Sequence, residues 1–73
     1  MMKVRLQLET LADIQEFVNI VSMLPHRVIV TDPIGHCVNA KSILGMLYSL
    51  EWSEIWCESA EDIYTKIRKF VKV

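Results

Sequence analysis

The side chains of this sequence that could do chemistry are few: Cys37, Cys57, His26, His36, and two hydroxyls, Thr10 and Ser42, that each precede an apolar periodic run. The cysteines are twenty positions apart, with no C-x-x-C and no paired histidine spacing, so they form neither a disulfide framework nor a zinc signature. His36 stands beside Cys37, but two ligands are too few for a closed metal site. Both cysteines are therefore expected as small apolar core residues, and no metal or cofactor is expected. His26 follows a helix and His36 opens the return of a hairpin. Neither lies at a helix N-terminus, and both read as surface or turn histidines. Thr10 has no base beside it to take its proton and reads better as a helix cap than as a nucleophile. Ser42 stands one residue before Ile43, Met46, Leu47 and Leu50, where its hydroxyl accepts from the free amides of a first helical turn.

The elements that hold these residues must share one core. The chain has 73 residues, 52% hydrophobic and 23% charged, which suits a single compact domain spanning residues 1–73. A domain of this size buries only about 60% of the surface its unfolded chain exposes, so a deep substrate cleft is not expected. Eight Lys and Arg against nine Asp and Glu give a net charge of -1, with no long run of either sign. That leaves no electrostatic footprint for nucleic acid. No apolar run approaches the roughly 18 residues of a membrane span, and the N-terminus alternates like a strand, unlike a signal peptide. A cytoplasmic protein with no membrane partner is expected.

Residues 3 to 8 read as a strand, with Val4, Leu6 and Leu8 inward and Arg5 and Gln7 outward. Thr10 and Asp13 form the short-acid version of a capping box before Leu11, Ile14, Phe17, Val18 and Val21, which predicts a helix over 11–23. Pro25 stops it. Residues 27–31 are β-branched enough for a second strand, and Asp32, Pro33 and Gly35 are turn chemistry returning the chain through 36–38. A short helix follows over 43–50, then a strand over 54–58 with Ile55 and Cys57 inward. Ser59 with Asp62 repeats the capping pattern before Ile63, Ile67, Phe70 and Val71, the stripe of a last helix. The order is β-α-β-β-α-β-α. An α+β open-faced sandwich is the economical packing, with a four-stranded antiparallel sheet carrying three helices on one face.

The stretch Val38-Asn39-Ala40-Lys41-Ser42-Ile43-Leu44-Gly45-Met46-Leu47 resembles the segment around the regulatory serine of HPr, the small phosphocarrier of the bacterial sugar phosphotransferase system (PTS). The element order, the length and the acidic opening of the last helix at Glu61 and Asp62 extend the resemblance over essentially the whole chain. HPr-like carriers accept phosphate from enzyme I on a histidine at the start of the first helix, inside a G-L-H-x-R-P type motif. That motif is missing. Matching the helix stripe puts Thr10 at the histidine position, and counting back from Ser42 gives Leu11 instead. The family's arginine falls near Ala12 or Asp13, where a carboxylate would repel a phosphoryl group.

The resemblance implies that Ser42 is a regulatory phosphorylation site for HPr kinase/phosphorylase, with the modified protein binding a transcriptional regulator in catabolite repression. A catabolite-repression paralogue within the family also lacks the carrier histidine. Leu44, Leu47 and Tyr48 match an apolar docking patch for protein partners, and Lys41, adjacent to Ser42, is expected to dock with them. Alternation also leaves Trp56 and Ile29 on the open sheet face with Arg5 and Gln7, where an uncovered indole is costly. A weak homodimer, or a partner chain, is expected to cover it. The leading expectation is thus an HPr-like regulatory binding module with no enzymatic activity. A phosphocarrier using another acceptor residue and a plain interaction module without phosphorylation are the rivals.

Overall fold

The computed structural model describes residues 1–72. Its elements are β1 (Met2–Leu6), α1 (Leu11–Ser22), β2 (Val28–Thr31), β3 (Cys37–Asn39), α2 (Ile43–Tyr48), β4 (Ile55–Ser59) and α3 (Tyr64–Ile67), with 3₁₀ turns at Ser49–Glu51 and Arg68–Phe70. The architecture is α+β, an antiparallel four-stranded sheet of order β1-β4-β2-β3 with three helices, as the sequence predicts. Val28 and Val30 on β2 and Ile55 and Cys57 on β4 alternate inward, against Ile14, Phe17 and Val21 of α1, Met46 of α2 and Ile67 of α3. Phe17 and Phe70 meet edge to face at 5.7 Å, tying α1 to the C-terminal segment. No described helix is long and apolar enough to cross a membrane.

The local signals work as their chemistry requires. The Thr10 hydroxyl accepts from the Asp13 amide at 3.1 Å while the Asp13 carboxylate accepts from the amides of Thr10 and Glu9, a complete capping box. Helix α1 closes at Ser22, three residues before Pro25. In the hairpin, Gly35 takes a φ of 106°, which a side chain would oppose, and Asp32 Oδ1 accepts from the amides of Ile34 and His36. Ser42 caps α2 by accepting from the Gly45 amide at 3.2 Å. Gly45 also lets α2 lie close to β3, since a Cβ there would come within 3.3 Å of the Val38 Cβ.

Several boundaries differ from the sequence reading. β1 ends at Leu6, so Gln7 leaves the open face, although Leu8 still buries in the core. The returning strand is displaced by one residue to Cys37–Asn39. Cys37 is exposed, because β3 is an edge strand in which Val38, paired with Val30, takes the inward position. Cys57 is buried as expected, and burial, with the Glu58 charge adding, pushes its thiol up to about 12. Helix α2 stops at Tyr48 and Leu50 falls in the 3₁₀ turn, with Ile43 and Leu50 both exposed and Met46 alone of the apolar stripe fully buried.

The largest difference is at the C-terminus. Ser59 is the last residue of β4 and caps no helix, Ile63 takes the N-cap position without a side-chain bond, and α3 is one turn. Ile63, Ile67 and Phe70 bury as expected, but Val71 bridges to Leu6. The Gln7 amide donates to the Phe70 carbonyl and the Lys72 amide to the Arg5 carbonyl. The edge of β1 thus claims backbone groups that a longer helix would have kept, and covers itself in doing so.

Candidate functional site

Helix α1 begins where the HPr resemblance would put the carrier position. Thr10, by one alignment, and Leu11, by the other, both face solvent, Leu11 at 62% exposure. At this helix start the amides of Glu9, Thr10 and Asp13 already have partners within the chain. Asp13 is held below its ordinary value chiefly by the Glu9 amide, against a desolvation that would raise it, with the Thr10 amide and hydroxyl helping. A carboxylate of the chain itself thus neutralises the positive end of α1.

Ser42 lies at the other end of that helix. Lys41 is half-buried and its ammonium donates to the Leu24 carbonyl just past the α1 C-terminus, so it is committed to the end of a helix dipole. A 12-residue helix is about 18 Å long, so the structure does not bring Thr10 and Ser42 together. On α2, Leu44 is 72% and Tyr48 69% exposed, with Leu47 half-buried between them. Leu44, Leu47, Tyr48 and Glu51 border a shallow apolar groove of about 420 Å³. The docking residues expected from the sequence are therefore together, next to the capping serine, with Lys41 turned to structural work.

The open sheet face is more polar than alternation suggested. Register sets Arg5, Trp56, Thr31 and Cys37 in one cross-strand row and Lys3, Glu58, Ile29 and Asn39 in the next. Ile29 and Trp56 are thus diagonal, each flanked by polar neighbours. Trp56 is half-buried: the Lys3 ammonium stands 5.7 Å from its ring centre, and its Nε1 donates to Glu54. Thr31 Oγ1 donates to Glu58 at 2.9 Å.

A second concavity, of about 590 Å³, was not anticipated from the sequence. It lies between the β2–β3 turn and the segment after α2, bordered by Asp32, Ile34, His36, Tyr48, Glu51 and Trp52 among others. His36 Nδ1 is 2.7 Å from Asp32 Oδ2, and its ring stacks on Trp52 at 5.6 Å and 15°. The Asp32 side chain is only 4% exposed. Burial works to raise its pKa, but the His36 ring and the His36 and Ile34 amides outweigh this and leave it lowered. Asp32 and His36 stand four residues apart, which could have been read as a turn pair. The Trp52 contact is long-range and had no sequence signal. Among the described residues, no three of His, Cys, Asp and Glu gather where they could hold a metal ion.

No protein-family model matches this chain, and no characterised protein or solved structure shows significant similarity to it.

Proposed function

We propose that this chain is a regulatory binding module of the HPr type, without phosphocarrier or other enzymatic activity, that engages a protein partner through α2 and is gated by phosphorylation of Ser42. The observation that carries this reading is the concentration of unburied apolar side chains around that helix. Ile34, Ile43, Leu44, Tyr48 and Leu50 are all exposed, within a stretch of 17 residues counted from 34 to 50. Small cores use every large apolar residue they can, so a cluster left outside is suited to a partner. Phosphorylation would add about -1.5 to -2 charges on Ser42, beside Leu44, and so change which partner surface the patch accepts. HPr kinase/phosphorylase and a transcriptional regulator are the partners this reading names.

The Asp32–His36 pair is the one observation that favours a carrier using another acceptor. A carboxylate on Nδ1 orients the ring and leaves Nε2 free. Charge argues against it, because Glu51 shares the groove and no Lys or Arg borders it to balance a phosphoryl group. The test is incubation of the chain with HPr kinase/phosphorylase and ATP, read by intact mass. One phosphoryl group, lost in Ser42→Ala, is the expected result; an unmodified chain overturns the gating. In a parallel arm, enzyme I and phosphoenolpyruvate should leave no acid-labile phosphate.

A further inference from the structure

The two concavities on either side of Tyr48 form one surface, since Tyr48 and Glu51 border both. Its apolar part runs from Ile34 in the hairpin turn, across Tyr48, to Leu44 and Leu47 on α2. Its fixed charge is of one sign. Asp32 and Glu51 border it, and no Lys or Arg does. Asp32 is answered by His36, while the exposed Glu51 carboxylate forms no ion pair or hydrogen bond among the described residues. Of the chain's eight Lys and Arg, Lys3 and Arg5 are on the open sheet face, Lys41 is at the end of α1, Lys69 is paired with Glu16, and none of the other four borders this surface.

We infer that this continuous surface receives a partner segment in which apolar side chains alternate with arginine or lysine, the cation meeting Glu51 between two apolar contacts at Ile34 and Leu44. The inference rests on the partner-binding reading above and adds to it the chemistry of the partner and a second groove beyond α2. An anionic segment would meet Glu51 with no balancing cation. A wholly apolar one would strand that carboxylate in a desolvated interface, which costs more than it gains. A basic residue there completes the charge, and arginine adds stacking of its planar fork on Tyr48 or Trp52. The rigid Trp52–His36 stack and the bonded Asp32 turn give the groove a fixed wall, so little of its order has to be gained on binding.

The test uses the unphosphorylated full chain and two acetylated, amidated tetrapeptides, one alternating leucine with arginine and one alternating leucine with glutamate. Amide shifts are followed by NMR during titration. The arginine peptide is expected to move the resonances of Ile34, Tyr48, Glu51 and the Trp52 indole in a saturable way, and the glutamate peptide to leave them in place. Glu51→Gln should weaken the arginine peptide about fivefold, the worth of one exposed charge pair, and added salt should do the same to the parent. Ile34→Ser, a change at a position 80% exposed, should weaken it without disturbing the fold. Equal binding of the two peptides, an unaffected Glu51→Gln, or shifts confined to the open sheet face would each overturn the inference. No kinase enters this assay, so its failure leaves the phosphorylation of Ser42 standing, and an unmodified Ser42 leaves the groove standing.

Discussion

Replacing Ser42 with alanine isolates the cap from everything else that position does. The mutation removes the acceptor of the Gly45 amide at 3.2 Å and leaves the backbone bond from Met46 to the Ser42 carbonyl in place. Two limits bracket the cost. If the freed amide were sealed from water the penalty would approach that of a buried unsatisfied donor, about 1–3 kcal/mol. Ser42 is only half-buried, so water can reach the amide, and the expected loss is that of an ordinary N-cap, about 1 kcal/mol. The six residues of α2 cannot hold a helix on their own, but Met46 is fully buried and anchors it, so the loss stops at the cap. For a domain of this size, with roughly 4–11 kcal/mol in total, that is a lowering of Tm by about 4–8 °C. Ser42→Asp should stay close to the parent, because its carboxylate accepts the same bond and favours the positive helix end. Thermal and urea unfolding of the three proteins measure this. An alanine variant as stable as the parent would show that Met46 packing alone places the helix, and an aspartate variant as weak as alanine would refute the capping geometry.

Three further outcomes are expected. Asp13 and Asp32 are both held below the ordinary 3.8, so each contributes stability that is fully present above that value and is lost as pH falls through the lower folded-state values. Acid titration of the unfolding midpoint should therefore show a steeper acid limb in the parent than in Asp13→Asn, and equal limbs would refute the assignment. Thr10→His should confer little transfer from enzyme I, since the Asp13 carboxylate still stands at the helix start and opposes the phosphate; rapid labelling of that single variant would mean the capping box yields easily to phosphate. Phe17→Ala removes a fully buried ring and its edge contact with Phe70, a loss of about 3–5 kcal/mol that should bring the domain close to unfolding at room temperature. A cooperative transition near that of the parent would show that the core collapses around the gap.

The parts of the fold legible in the sequence are those whose cause is local. Thr10 with Asp13, Ser42, and Asp32 with Gly35 each satisfy backbone groups within a few residues of themselves, so type and spacing were enough to place them. Strand parity in β2 and β4 was legible for the same reason: alternation states which face is wet, and both strands bury the residues it selects. What was not legible depends on partners distant in sequence. Nothing near Val71 states that it will pair with Leu6, and Lys41 reaches a carbonyl seventeen residues earlier. Cys37 lost its inward position because the hairpin turn set the returning strand one residue later. The Asp32–His36 pair was local, but its stack on Trp52, which turns a hairpin into the wall of a groove, was not.

The same division bears on function. At the start of α1 the local chemistry already supplies its own anion, since the capping box satisfies the amides of Thr10 and Asp13 and holds a carboxylate at the helix end that would otherwise attract a phosphate. At α2 the local chemistry is complete only on one side. The cap and Met46 fix the helix, while Leu44 and Tyr48 gain nothing from the fold that holds them. Exposed apolar side chains on a rigid element cost little to bind, because their backbone is already ordered and only their rotamers remain to be fixed. If Leu44→Ser and Tyr48→Ser leave Tm unchanged, those side chains contribute nothing to folding, and any partner that contacts α2 must lose affinity in the same two variants. A fall in Tm comparable to that of Phe17→Ala would instead make them part of the core and remove the argument for a docking surface on this helix.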